Sequence, residues 1–348
     1  MSDFYLGKHQ IGGGRRCFVI GEIAQAHDGS LGMAHAYIDA IARAGADAVK
    51  FQTHIAAAES SPQEPWRVKF SRQDASRFDY WKRMEFTEAQ WVGLKEHAEE
   101  CGLVFLSSPF SVESVALLER LDMAAWKVAS GEINNPILME QILGAGKPVL
   151  LSTGLTTYAE MDEVIEDIRG AGRDFAVMQC TTKYPTPPEE LGLNLLSEFR
   201  ERYQCPVGLS DHSANLFTGV AAASLGADLL ETHVALSREM FGPDTVASLT
   251  TSELKTMIDG IRFVETAMAN PMDKAILSEE QQELRTVFNK SLFVKMDLPA
   301  GTRLEPEHLI GKKPGTGIPV KQVKEVIGQR LALPVSNGEM LTYQHIHH

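Results

Sequence analysis

The stretch Val207–Val234, "VGLSDHSANLFTGVAAASLGADLLETHV", reads as a strand, a helix-like segment and a second strand. Both apolar runs end in polar side chains: Ser210, Asp211 and His212 finish the first, His233 the second. Burying an acid and two imidazoles is costly unless they have partners or chemistry to perform. The place of those strand ends in the fold therefore decides the reading.

The same unit recurs along the chain. Short apolar runs ("CFVIGEIAQ", "DAVKFQTH", "LVFLSSPF", "AAWKVASGE", "KPVLLSTG", "FAVMQCTT", "CPVGLSDH", "DLLETHV") alternate with amphipathic segments such as "MAHAYIDAIARAG" and "YAEMDEVIEDIRGAG". Joints such as "RAGADAVK" and "GAGKPVLL" place glycine at a helix end directly before a strand, as αβ connections do. Eight units over roughly 250 residues match a closed (β/α)8 TIM barrel. An open doubly wound sheet would call for a G-x-G-x-x-G after the first strand, and none is present. After the second strand comes a long connection, "IAAAESSPQEPWRVKFSRQDASRFDYWKRMEF", rich in Arg, Lys and aromatics. A loop of that length reads as a functional excursion or lid.

The pattern changes near residue 270. We expect a barrel over residues 1–270, a linker with helical character over 271–286, and a small β-rich domain with Gly/Pro turns over 287–348. That last piece is marginal in size for an independent fold.

Composition narrows the class. The chain is 348 residues long, 44% hydrophobic and 23% charged, with a formal net charge of -13. The acidic balance argues against nucleic acid or an anionic membrane surface as partner, while a few local cations could still hold a small anion. Cys17, Cys101, Cys180 and Cys205 form no C-x-x-C pair and sit among apolar segments, which suits reduced thiols in a cytoplasm. The N-terminal segment has no signal-like apolar region and no run reaches membrane-spanning length. The terminal "HIHH" reads as incidental.

In a barrel the active site lies at the C-terminal strand ends, so the polar residues there converge. They are Glu22; Lys50 and Gln52; Ser107 and Ser108; Lys127, Ser130 and Glu132; Ser152 and Thr153; Thr181, Thr182 and Tyr184; Ser210, Asp211 and His212; and His233. His212 and His233, at the ends of adjacent strands, could meet one divalent ion, or each could simply hydrogen-bond locally. Asp211 reads as a supporting or helix-capping group. Lys50 and Lys127 could form ion pairs with Glu22 and Glu132, bind an anionic ligand, or form a Schiff base with a carbonyl substrate. Ser and Thr at neighbouring strand ends favour an anion pocket.

Ten stretches in order, "GEIAQAHDGS", "AGADAVKFQTH", "FLSSPF", "WKVASGE", "PVLLSTG", "CTTKYPTP", "GLSDHS", "ETHV", "GPD" and "KKPGTGI", make nearly the whole chain resemble the sialic acid synthase family, spore-coat polysaccharide types included. The resemblance implies a TIM barrel followed by an antifreeze-like (SAF) domain. It implies condensation of phosphoenolpyruvate with an N-acyl hexosamine to a nine-carbon 3-deoxy-2-keto acid, in a cytoplasmic, domain-swapped homodimer. His212 and His233 would bind the divalent metal, Mn²⁺ or Mg²⁺. Lys127, Ser108, Ser130, Ser152 and Ser210 would hold phosphoenolpyruvate. Glu22 and Glu132 would handle protons. Lys50, Gln52, Thr182, Tyr184, Asp244 and Lys313 would line the acceptor end. Lys313 and Thr182 depart from the family pattern, Lys313 standing where bacterial members carry Arg, and the two cations are not equivalent at a directional site. The acceptor stays open between N-acetylmannosamine and a 6-deoxy diacetamido relative. Rival readings are a synthase of shorter 3-deoxy-ulosonates, a Schiff-base aldolase, and a non-catalytic sugar-binding or scaffold protein.

Overall fold

The computed structural model describes residues 3–346 and resolves into two compact units, Met1–Asn270 and Pro271–His348. The first unit opens with an antiparallel hairpin, β1 (Phe4–Leu6) and β2 (His9–Ile11). Eight parallel strands follow: β3 (Phe18–Ala24), β4 (Ala48–Thr53), β5 (Val104–Pro109), β6 (Trp126–Val128), β7 (Val149–Ser152), β8 (Phe175–Cys180), β9 (Val207–Asp211) and β10 (Leu229–Ala235). Each lies in one of the eight apolar runs read from the sequence. Their order is β5-β4-β3-β10-β9-β8-β7-β6, and β5 lies against β6 to bring the ring nearly to closure. A two-residue strand, β11 (Leu249–Thr250), pairs in parallel with the end of β10.

Side chains alternate across each strand, so the barrel has two distinct cores. The outward residues, among them Val49, Phe51, Phe105, Trp126, Val177 and Leu230, pack against the helices. The inward residues Ile20, Ala48, Leu106, Leu150, Ala176 and Leu229 form a separate apolar cluster near the strand starts. Phe4, Leu6 and Ile11 of the hairpin join that inner cluster and cover the N-terminal end of the barrel. Two residues further along, the inward positions of every strand but β8 turn polar: Glu22, Lys50, Ser108, Lys127, Ser152, Ser210 and Glu231, with Met178 the apolar exception on β8. Gly208 is fixed by this crowding, because a Cβ there would stand 2.7 Å from the Leu229 carbonyl oxygen.

The helices show why each starts and stops where it does. Leu31–Ala44 begins at Ser30, which accepts from the Met33 N–H, and ends at Gly45 in the left-handed region at φ 87°. Its Tyr37, Ile38 and Ile41 are fully buried on one face. Glu88–Glu100 begins with a Thr87–Gln90 capping box. Among the described residues no helix is long and apolar enough to cross a membrane.

The second unit contains a helix, Glu279–Phe288, started by a Ser278–Gln281 capping box. Most of it falls inside the segment expected to be a linker. An antiparallel pair, β12 (Ser291–Val294) with β13 (Leu309–Lys312), follows. Its own core includes Leu292, Val294, Leu304, Ile318, Leu331 and Leu341. His347 and His348 of the terminal "HIHH" lie outside the described residues.

Candidate active site

The polar layer inside the barrel is an ionic cluster. The Lys50 ammonium lies 2.6 Å from Glu22 and 3.6 Å from Glu231, and the Lys127 ammonium lies 3.4 Å from Glu231. Lys50 also donates to Ser108 at 3.2 Å, Lys127 to Ser152 at 2.5 Å and Ser210 to Glu231 at 2.9 Å. Gln52 donates to the other oxygen of Glu22 at 2.9 Å. All four charged side chains are enclosed, which two lysines and two acids tolerate only by neutralising one another.

The two acids are driven apart in acidity. Burial pushes the Glu22 carboxyl up to about 7, against the pull of Lys50. Burial acts on Glu231 too, yet Lys127 and Lys50 together hold it below the usual carboxylate range. Burial lowers Lys127, while for Lys50 the two acids outweigh burial and raise it. Burial thus leaves Glu22 the weaker acid of the two, poised to exchange a proton near neutral pH, while Glu231 stays the counter-charge to the lysines.

Above this layer stand the two histidines. The His212 and His233 rings have centroids 5.2 Å apart. Tyr184 stacks on His212 at 4.2 Å, and its hydroxyl lies 3.1 Å from His212 Nε2. His212 Nδ1 lies 2.9 Å from the Thr181 carbonyl oxygen and donates to it, which leaves Nε2 with its lone pair. Burial lowers His212 to about 4 and His233 well below the ordinary imidazole value, so both rings are neutral. Two neutral imidazoles, one already oriented by a backbone carbonyl, fit a divalent ion. Asp211 caps no helix; it accepts from the Ser213 N–H at 2.9 Å.

Gln52, bonded to Glu22, and His233 reach from this site to a cavity of about 830 Å³, ample for a sugar-sized ligand. Gln52, Glu132, Thr182, Tyr184, His233 and Asp244 line it. Glu132 receives a bond from Asn135 at 2.9 Å, and burial raises its carboxyl. Ser130 and Thr182 hydroxyls are 3.3 Å apart. The opposite wall comes from the long loop after β4. Arg67 lies 4.6 Å over the Tyr184 ring and 3.7 Å from Asp244, whose carboxyl burial raises to about 6. His54 is held between Trp81 at 4.1 Å and Phe110 at 4.6 Å.

Most of the residues expected at the site therefore meet, either in the cluster or around the cavity. Lys313 does not join them within this unit; it belongs to the second, where it lies 4.8 Å over Phe288. The ion pairing differs from expectation: Lys127 is matched by Glu231, not Glu132. Glu231, His54, Gln25 and Arg67 are additional participants that the sequence reading passed over. Glu231 was within reach, since a charged residue two before His233 on one strand must share its face.

Comparison with known proteins agrees with this picture. The NeuB family profile matches residues 37–273, and the SAF domain profile matches residues 289–347. The chain is 33% identical over 321 residues to N,N'-diacetyllegionaminic acid synthase of Campylobacter jejuni, covering 90% of this chain and 96% of that protein. It is 30% identical over 337 residues to human N-acetylneuraminate-9-phosphate synthase, covering 95% of this chain and 93% of the other. Among solved structures it resembles the spore coat polysaccharide biosynthesis protein spsE of Bacillus subtilis, with TM-score 0.68 and 27% identity over 100% of this chain and 99% of that one.

Proposed function

The chain belongs to the NeuB family, and from that premise we propose that it condenses phosphoenolpyruvate with an N-acyl hexosamine. The products are a nine-carbon 3-deoxy-2-keto acid and inorganic phosphate. The observation that carries the reading is the meeting of three features: a buried Lys/Glu/Ser cluster, two neutral imidazoles at the ends of the same strands, and a cavity lined by His233 and by Gln52, which bonds Glu22.

His212 and His233 would hold a divalent ion, Mn²⁺ or Mg²⁺, and when bound it supplies Lewis-acid polarisation of the open-chain sugar aldehyde. The chain's own residues do the rest. Lys127, with the hydroxyls of Ser108, Ser130, Ser152 and Ser210, holds the carboxylate and phosphate of phosphoenolpyruvate, and Lys50, expected at the acceptor end, joins them because it donates to Ser108. Held there, its C3 carbon attacks the aldehyde carbon and forms the new C–C bond. Water adds at C2, and the phosphate leaves by C–O cleavage with its electron pair. Glu22, poised near neutrality by burial, takes the proton from that water. Glu132, on the cavity wall and also raised by burial, delivers a proton to the developing sugar alkoxide.

Gln52, Thr182, Tyr184 and Asp244 face the acceptor, which is N-acetylmannosamine or a 6-deoxy diacetamido sugar. The resemblance of "KKPGTGI" supports adding Lys313 to the acceptor contacts and a domain-swapped homodimer in the cytoplasm to the reading.

The test is phosphate release from phosphoenolpyruvate by metal-stripped protein, with and without Mn²⁺, over a panel of N-acyl hexosamines. Metal-dependent release with one acceptor, and a matching nonulosonate by mass spectrometry, is expected. Release without any acceptor, or none across the panel, would defeat the proposal. One observation favours a second reading: burial lowers Lys127, as an amine nucleophile requires. Borohydride trapping of a substrate adduct on Lys127 would select that aldolase chemistry instead.

A further inference from the structure

Away from the barrel mouth, two helices of the outer layer bring four metal-ligating side chains together. His35 and Asp39 stand four residues apart on the helix Leu31–Ala44. His97 and Cys101 stand four apart on the helix Glu88–Glu100 and its C-cap. Side chains four apart share one helix face, and the two faces meet. His35 Nδ1 lies 2.8 Å from His97 Nδ1, His97 Nε2 lies 3.2 Å from the Asp39 carboxylate, and Cys101 Sγ lies 3.9 Å from the same carboxylate oxygen. Ligand atoms of Asp39, His97 and Cys101 all lie within 4.8 Å of one another.

We propose that Asp39, His97 and Cys101, with His35 beside them, form a second metal site that takes a borderline divalent cation of the Zn²⁺ or Co²⁺ type. The donor set decides the class. A thiolate and imidazoles with one carboxylate suit tetrahedral Zn²⁺, whereas Mg²⁺ and Mn²⁺ prefer oxygen donors. The His97 and Asp39 side chains are 24% and 46% exposed, so an ion reaches them from solvent without unfolding. Small side-chain rotations close the spacing to that of a first coordination sphere. Binding releases the protons of the Cys101 thiol and of the imidazole nitrogen that ligates. The ion then clasps two adjacent helices through side chains that touch neither the cavity nor the ionic cluster.

Cobalt titration of the full-length protein tests this directly. A thiolate-to-Co²⁺ charge-transfer absorption should grow to the amplitude of one thiolate-bound ion per chain, whatever Co²⁺ the barrel histidines also take, and be displaced by Zn²⁺. Cys101→Ser should abolish it, and His97→Ala should weaken Co²⁺ binding by about tenfold or more. Cys180, which lies 3.9 Å from His212, is the internal control: Cys180→Ser should leave the band in place. Absence of the band in the wild-type protein, or its survival in Cys101→Ser, would overturn the site. Should Cys101→Ser fail to fold, thiol labelling of the wild-type chain reads the same question. Zn²⁺ should protect Cys101 from alkylation in peptide mapping, and unprotected labelling at saturating Zn²⁺ rejects the proposal. Turnover at saturating Mn²⁺ should be unchanged in both helix variants.

Discussion

The Glu22 carboxylate and the Lys50 ammonium stand 2.6 Å apart inside the barrel, on neighbouring strands and almost wholly shielded from water. Removing one charge of such a pair leaves the other buried and unmatched, at a cost of about 3–5 kcal/mol. Lys50→Met is expected to lose stability in that range. Glu22→Gln/Lys50→Met, which removes both charges, should recover most of it in denaturant unfolding while remaining inactive.

Glu132 presents the opposite balance. It faces the cavity, and its hydrogen-bond partner is the nearby Asn135. Glu132→Gln keeps shape and can still bond Asn135, so its melting temperature should stay close to the parent's. Loss of a proton-transfer group should lower kcat by about 10²–10⁴-fold. Steady-state kinetics beside thermal denaturation checks both halves.

Arg67 lies over Tyr184 and beside Asp244 at the outer wall of the cavity. Both of these contacts belong to the proposed acceptor end of the cavity. Arg67→Ala should raise KM for the sugar by about 10–100-fold, the size of a lost charge-assisted contact. KM for phosphoenolpyruvate should move little. Equal rises in both constants would show that Arg67 shapes the whole cavity instead.

His27 predicts the acid limb of stability. Its Nδ1 accepts from the Gly29 N–H at 3.1 Å and its ring packs on Phe86 at 4.8 Å. Burial, with smaller contributions from His54 and Arg83, lowers its pKa from 6.5 to about 3. Between those values the unfolded chain binds a proton that the native chain does not. Stability is therefore full above about 6.5 and is lost as pH falls towards 3, by on the order of a few kcal/mol. His27→Gln should flatten that slope in a circular-dichroism pH ramp of unfolding free energy.

The eight strands were legible because each is an apolar run bounded by a glycine joint or a polar end. The site was legible because charged residues interrupt those runs at inward positions. Pairing was harder. Glu132, near in sequence, is one possible partner for Lys127, but the partner Glu231 comes from β10, four strands away in the sheet order, and reaches it only across the interior of the nearly closed barrel. Loop residues such as Arg67 and His54 follow no periodicity, so nothing in the sequence says which of the many loop cations faces inward. The helix Glu279–Phe288 carries its start signal in Ser278 and Gln281, a capping pair inside the stretch expected as a linker with helical character.

The N-terminal hairpin imposes an order on synthesis. Residues 4–11 are translated long before Leu229 of the last barrel strand, which belongs to the cluster that receives Phe4, Leu6 and Ile11. The hairpin must therefore wait, without its final surroundings, until nearly the whole barrel has been made. Nascent chains halted before Ala235 should leave this hairpin open to protease, and release of the complete chain should close it.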